Sequence, residues 1–317
     1  MTSPTNFRGA TTQKTWAALR TVTTLASLAL LVWFAWGVRH EVTGALKSYR
    51  HDFLILSILA GVVFTVVQAW IFALLVIRRT APGPMRPMVA AFLLSQPSKY
   101  VPGKIWPVFV QAAILGPSAR PMPITLANLQ LFVISLLHLL ALGLLCIDEF
   151  SLRGLVAALL IGPVGGAMVI ALPVGAMVKR IAPRFAQRTA VEGDLAFGPH
   201  TLCNSAIGIL VSMVANLLAS STLLLAIGAA VPHDDIAKLL AILYLSNILG
   251  ALVVVVPAGI GIREAAAAAL GAMLVPGIPA SLIVTAAVMF RLWQIAVDVL
   301  CFALGWILNR QPDPPLA

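Results

Sequence analysis

An all-α polytopic membrane protein is the fold class that the sequence predicts, and three observations predict it. Of 317 residues, 60% are hydrophobic and 10% charged, the mean hydropathy is +0.99, and several apolar runs are long enough to cross a bilayer. The net charge of +10 is gathered in short connections and in the N-terminal tail, the pattern that orients membrane helices with their basic loops in the cytoplasm. Two polar interruptions rich in proline and glycine, at 95–107 and 257–264, lie inside apolar sequence. The expected architecture is about six full transmembrane helices plus two re-entrant broken-helix hairpins in an inverted repeat, with seven to eight spans as the alternative. Charge placed in this way argues against a nucleic-acid partner.

Residues 1–20 form a basic tail with Arg8, Lys14 and Arg20. Thr21 to Val38 is a first anchor (21–38), too long for a signal-peptide core and without a small-residue cleavage site before Arg39. Repeat one, 53–147, opens with the apolar run Phe53 to Ile77, broken only by Gln68. Arg78, Arg79 and Arg86 follow without an acid, so this loop is expected to be cytoplasmic. Met88 to Leu94 and Ile105 to Leu115 are each too short for a hydrocarbon core of roughly 30 Å, and fit the arms of a re-entrant hairpin, 88–115. Ile124 to Ile147 crosses to the acidic Asp148 and Glu149.

A linking span, 155–178, returns to a basic loop with Lys179, Arg180, Arg184 and Arg188, and Pro163 and Pro173 set kinks in it. Repeat two, 202–308, has the same order: a span at Leu202 to Ile227, an arm at Leu239 to Val256, a break at Pro257 to Glu264, and a short arm at Ala265 to Val275. The hairpin is 239–275, although its first arm is long enough to cross alone. Leu282 to Leu308 then crosses with Arg291, Gln294 and Asp298 inside it, and 309–317 is a cytoplasmic tail.

The two breaks carry the chemistry. Pro97, Pro102 and Pro107 each remove a backbone donor, so no plain helix passes through Ser95 to Pro107. Broken backbone within a bilayer is tolerated where it is buried in protein or lines a wet cavity. Each Lys or Arg at a helix centre costs roughly 2.5–3.5 kcal/mol, so Lys99, Lys104, Arg263 and Arg291 would together cost on the order of 10 kcal/mol if unpaired. Four cations against Glu264 and Asp298 leave a surplus of +2, which an anionic ligand would balance. Helices starting after Gly103 and after Gly261 would add their positive N-terminal ends.

Plainer readings stand beside these. Lys99 and Lys104 could snorkel to headgroups, with Tyr100 and Trp106 as interfacial aromatics. Glu264 could serve a helix N-terminus, and Arg291, Gln294 and Asp298 a structural polar stripe. His138, Asn128, Asn216 and Asn247 read as interhelical hydrogen bonders, and Gly61, Gly143 and Gly208 as close-packing contacts. Cys146, Cys203 and Cys301 fall singly, which suggests neither a disulfide framework nor a metal site.

Lys99-Tyr-Val-Pro-Gly-Lys-Ile-Trp106, Pro257-Ala-Gly-Ile-Gly-Ile-Arg-Glu264 and the Arg291 span resemble the membrane domain of bacterial lysylphosphatidylglycerol synthase/flippases, in the form of a stand-alone member without the synthase domain. The resemblance covers about 50 to 308, with Ala258 where glycine is expected. It implies a bacterial plasma-membrane protein moving a charged lipid between leaflets, or acting in lipid-linked glycan or hopanoid pathways, while the charge pattern and the parity of crossings place both termini in the cytoplasm. The expected substrate-binding set is Lys99, Tyr100, Gly103, Lys104, Trp106, Gly259, Gly261, Arg263, Glu264, Arg291 and Asp298.

The leading expectation is therefore a non-enzymatic, flippase-like transporter of an anionic or phosphate-bearing lipid such as an aminoacyl-phospholipid or lipid-linked sugar, with no cofactor and no metal. One alternative is a non-transporting partner of a lipid or glycan biosynthetic enzyme. Another is an intramembrane transferase or hydrolase, disfavoured by the lack of a nucleophile elbow, a His-x-x-x-His pair, a paired acidic motif or a phosphate-binding loop.

Overall fold

The computed structural model describes residues 50–80, 83–101, 105–116, 120–181, 197–227, 235–253 and 261–310, and all regular structure among them is helical. The first anchor expected at 21–38 lies outside the described residues. The long helices are α1 (His51–Ile77), α4 (Pro121–Ile147), α8 (Pro199–Ile227) and α11 (Ala280–Arg310). Shorter ones are α2 (Met85–Leu94), α3 (Trp106–Leu115), α5 (Leu152–Leu159), α6 (Gly165–Ala171), α7 (Val174–Ile181), α9 (Ile236–Leu252) and α10 (Ile262–Leu274). Five described stretches are long and apolar enough to cross a membrane: α1, α4, the run Leu152–Ala171, α8 and α11. This is a multi-pass, all-α membrane protein. The 17 residues of α9 rise only about 25 Å, short of a hydrocarbon core of roughly 30 Å.

Both prolines of the linking span act as steric logic requires. Pro163 sits in a single π-helical turn, Leu160–Val164, where the widened backbone makes room for its ring between α5 and α6. Pro173 lacks the N–H that would bond the carbonyl of Val169, and α6 ends at Ala171. Gln130 on α4 supplies the missing donor: its Nε2 lies 2.7 Å from the Val169 carbonyl oxygen. Arg78 donates to the next carbonyls, Ile170, Ala171 (3.0 Å) and Leu172 (3.2 Å), while Arg79 donates to Gln130 and to the Leu75 carbonyl. Arg78 and Arg79 are 4% and 3% exposed. They are not the solvated loop charges that a basic run after a span suggests: the proline break gives Arg78 carbonyls to serve, and Arg79 is held by Gln130 and its own helix.

The packing pairs elements of the two halves. The most extensive contact is α1 on α8, followed by α9 on α4 and α2 on α11, so the first arm of each broken hairpin lies against the last long helix of the other half. Gly61 on α1 permits the close approach of α11: a Cβ there would stand 2.7 Å from Val297 Cγ2.

Polar contacts mark the two ends of the bundle. At one end the Arg50 amide meets the Ala226 carbonyl (3.3 Å) and Lys238 pairs with Glu149 (3.2 Å). At the other, Arg86 donates to the Leu308 carbonyl (2.7 Å) and Arg78 serves the carbonyls before Pro173. The pair α2 and α3 therefore enters and leaves at the Arg86 end, since α4 starts there and runs to Glu149. The pair α9 and α10 enters beside Lys238 and leaves into α11, which runs to Leu308. The two broken hairpins open toward opposite ends.

Candidate functional site

Inside the bundle lies a cavity of about 300 Å³, bounded by α1, α2, α4, α8, α9, α10 and α11. Its volume suits a headgroup and is at the small end of ligand pockets, roughly 300–1,000 Å³. Its lining includes the charged Lys99, Arg263 and Asp298 and the neutral polar Thr65, Gln68, Ser135, His138, Asn216, Asn247 and Gln294. Phe64, Phe92, Phe290 and Trp293 supply aromatic surface.

Lys99 reaches the cavity, with Tyr100 behind its wall, because Pro97 turns the chain out of α2 into one short 3₁₀ segment, Gln96–Tyr100. Within this turn Ser98 Oγ donates to the Ser95 carbonyl (2.6 Å), and two bonds brace it against α3 and α4: Gln111 Nε2 donates to Ser95 Oγ (2.9 Å) and Asn128 Nδ2 to Gln111 Oε1 (2.7 Å). Lys99 Nζ then lies 2.9 Å from the Asp298 carboxylate, and Tyr100 Oη donates to Asp298 Oδ2 at 2.6 Å. Asp298 is 2% exposed. From Leu308, which meets Arg86 at the bundle end, Asp298 is ten residues along α11, about 15 Å deeper. Lys99 therefore does not snorkel to the bundle end.

The second break is organised from Gly261, whose φ of +81° is left-handed and favours glycine. Its amide donates to Glu264 Oε2 (2.8 Å), which caps α10. The positive end expected to await an anion is thus already served by a carboxylate at that amide. The other Glu264 oxygen pairs with Arg291 Nη1 at 3.0 Å, so Glu264 is both cap and ion-pair partner. Arg263 points the other way, into the cavity, and its Nη1 is 3.5 Å from Gln294 Oε1. Among the described residues it has no carboxylate partner, and its Nε is buried without a hydrogen bond. Gly250 on α9 leaves room for this side chain: a Cβ there would stand 2.8 Å from Arg263 Nε.

These contacts revise the charge balance. Of the described cations, Lys99 is paired with Asp298 and Arg291 with Glu264, so three cations against two acids leave a surplus of +1, located on Arg263. The polar stripe along α11 is not self-paired either. Arg291 and Asp298, seven residues apart, hold opposite hairpins. Tyr100, Glu264 and Arg291 stand behind the cavity wall, with Lys99, Arg263 and Asp298 on it. Trp106 is half-buried beside Phe109, with ring centroids 6.2 Å apart, and does not line the cavity; neither does Gly261. Gly103, Lys104 and Gly259 lie outside the described residues.

His138 is fully satisfied, with Nδ1 3.4 Å from Ser212 Oγ and Nε2 3.1 Å from Asn216 Nδ2, tying α4 to α8. Reading the sequence passed over Gln68 as a mere break in an apolar run. Both of its side-chain polar atoms are buried without a partner, as is Trp293 Nε1. The available signal was its position, an amide near the middle of a span, where polar groups are costly. Among the described residues no three His, Cys, Asp or Glu side chains gather to hold a metal ion.

Residues 18–301 match the family model of the lysylphosphatidylglycerol synthase TM region. No curated protein and no solved structure matches the chain.

Proposed function

The chain belongs to the lysylphosphatidylglycerol synthase TM-region family, whose name ties it to membrane lipid, and from this premise we propose that it is a non-enzymatic flippase-like transporter. It moves a lipid with an anionic, phosphate-bearing headgroup between the leaflets of a bacterial plasma membrane, the Arg86 end facing the cytoplasm. The observation that carries this reading is Arg263, a cation without a carboxylate partner among the described residues, turned into a headgroup-sized polar cavity inside the bundle. A buried cation is costly until an anion joins it. A phosphate provides that anion and accepts charge-assisted hydrogen bonds from the guanidinium. Lys99, with three N–H donors, can serve the phosphate while staying with Asp298.

Hairpins opening to opposite ends support alternating access, with discontinuous helices meeting around one central site. The lipid tails remain in the hydrocarbon, so only the headgroup is desolvated.

The test is a leaflet-sidedness assay in vesicles with acyl-labelled phosphatidylglycerol and purified protein. Losing one charge-assisted contact of about 1.5–3 kcal/mol should slow movement in Arg263→Gln on the order of tenfold to a hundredfold. Lipid recovered afterwards should be unchanged in mass. Wild-type rates in both Arg263→Gln and Lys99→Met would remove the site from the reading.

A further inference from the structure

The proposed transport keeps a headgroup in the cavity while its chains stay in hydrocarbon, so the wall between them must part somewhere. Helix α4 points to the place. Phe132, Ser135, Leu136 and Leu139 line the cavity as one helical face, over about 10 Å of rise, and all four are partly exposed. At 3.6 residues per turn Leu136 points only about 20° from Leu129, which is exposed, so the cavity lining runs onto the outer face of the helix.

The neighbour of this strip changes along its length. One end is held by α3, through Asn128 and Gln111, and the other by α9, where a Cβ on Gly143 would stand 3.1 Å from Leu245. Phe132 and Leu136 fall between the two. On α9 the same seam comes apart: Leu249 and Leu252 point within about 40° of Leu245, yet they are 45% and 54% exposed. The two helices therefore touch at Gly143 and Leu245 and diverge toward the end of α9. Other seams of the wall are tied: α1 lies on α8 in the most extensive contact, His138 joins α4 to α8, and Gly61 brings α1 onto α11.

We propose that the α4–α9 seam is a chain portal: the glycerol backbone and first methylenes of the transported lipid pass between Phe132 and Leu136 on one side and Leu249 and Leu252 on the other, while the phosphate sits at Arg263. The inference rests on the transport reading and adds its route. All four edge residues are hydrocarbon, which suits ester-linked chains, and the cations Arg263 and Lys99 lie on the cavity behind them, so each end of an anionic lipid meets matching chemistry.

The experiment uses phosphatidylglycerol and diacylglycerol that carry the same diazirine near the carboxyl end of one acyl chain. Each is present in trace in phosphatidylcholine vesicles holding the full chain, and labelled residues are mapped by mass spectrometry. A lipid held through its phosphate should label Leu136 and Leu252 about tenfold more than diacylglycerol does, the enrichment expected of one charge-assisted contact. Val63 on α1 and Val214 on α8, both exposed on outer faces, should be labelled equally by the two lipids. Arg263→Gln should remove the excess. Equal labelling of the seam by both lipids, or an excess at Val63 or Val214 instead, would overturn the portal. An excess at the seam that survives Arg263→Gln upholds the portal and removes Arg263 as the holder of the phosphate. In the leaflet-sidedness assay Leu136→Trp should narrow the seam and slow phosphatidylglycerol about tenfold, with Val214→Trp at the wild-type rate. Equal rates in these two variants also count against the portal. If wild-type protein moves no lipid, the transport reading fails by itself and labelling alone decides the portal.

Discussion

Breaking the Lys99–Asp298 pair from its two sides should not cost the same. Asp298 is 2% exposed at its side chain and Lys99 31%, with the charges 2.9 Å apart. Removing one partner of a buried ion pair costs about 3–5 kcal/mol, because the other charge is left uncompensated. In Lys99→Met the stranded charge is the buried carboxylate, held among the described residues by Tyr100, so the full range of about 3–5 kcal/mol applies. In Asp298→Asn the stranded charge is a lysine with 31% of its side chain open on the cavity, which lowers the figure to roughly 2–3 kcal/mol. The Tyr100 hydroxyl keeps an acceptor in the asparagine, at a loss of about 1 kcal/mol. Replacing both partners, as in Lys99→Met with Asp298→Asn, strands no charge and should cost less than Lys99→Met alone. The assay is unfolding by sodium dodecyl sulfate in bicelles, followed by circular dichroism for the four proteins. Additive single and double variants, or an Asp298→Asn costlier than Lys99→Met, would refute the pairing as the origin of the effect.

Two further outcomes follow from packing. Gly250→Ala places a methyl group against Arg263 and should push the guanidinium out of the cavity, slowing anionic-lipid movement nearly as much as Arg263→Gln; a wild-type rate would separate the side chain's position from its function. Arg78→Met removes the donors to Ile170, Ala171 and Leu172 and should destabilise the protein by about 3 kcal/mol in the same unfolding titration. Adding Pro173→Ala restores an N–H to that stretch, so the double variant should recover part of the loss.

Hydropathy located the spans at 53–77, 124–147, 202–227 and 282–308, because lipid exposure demands apolar side chains whatever the partner helices are. Proline and glycine mark the end of α2 before Pro97 and the start of α10 after Gly261, since those residues act on their own backbone; 102–104 and 254–260, in the two breaks, lie outside the described residues. What stayed hidden depends on contacts remote in sequence. Arg78 resembles a loop charge until its partners some ninety residues away are known, and only Pro173 hints that those carbonyls need a donor. The surplus charge could be counted roughly, but its assignment to Arg263 required knowing that Glu264 turns to Arg291 and Asp298 to Lys99. Gln68 was visible as a residue; its lack of a partner was not.

One helix connects these observations. On α11, Arg291 binds the second break through Glu264, Gln294 meets Arg263, and Asp298 binds the first break through Lys99 and Tyr100, all within about 10 Å of helix rise. Sliding either hairpin along α11 therefore means separating an ion pair, which costs several kcal/mol in an empty cavity. On the proposed reading a phosphate changes that balance, because it can take Lys99 while Asp298 retains the Tyr100 hydroxyl. The exchange replaces one charge-assisted contact by another, and the barrier falls only when a headgroup is present. A carrier built in this way would resist moving empty, and its two short hairpins could not be replaced by continuous helices without losing the cations that the phosphate recruits.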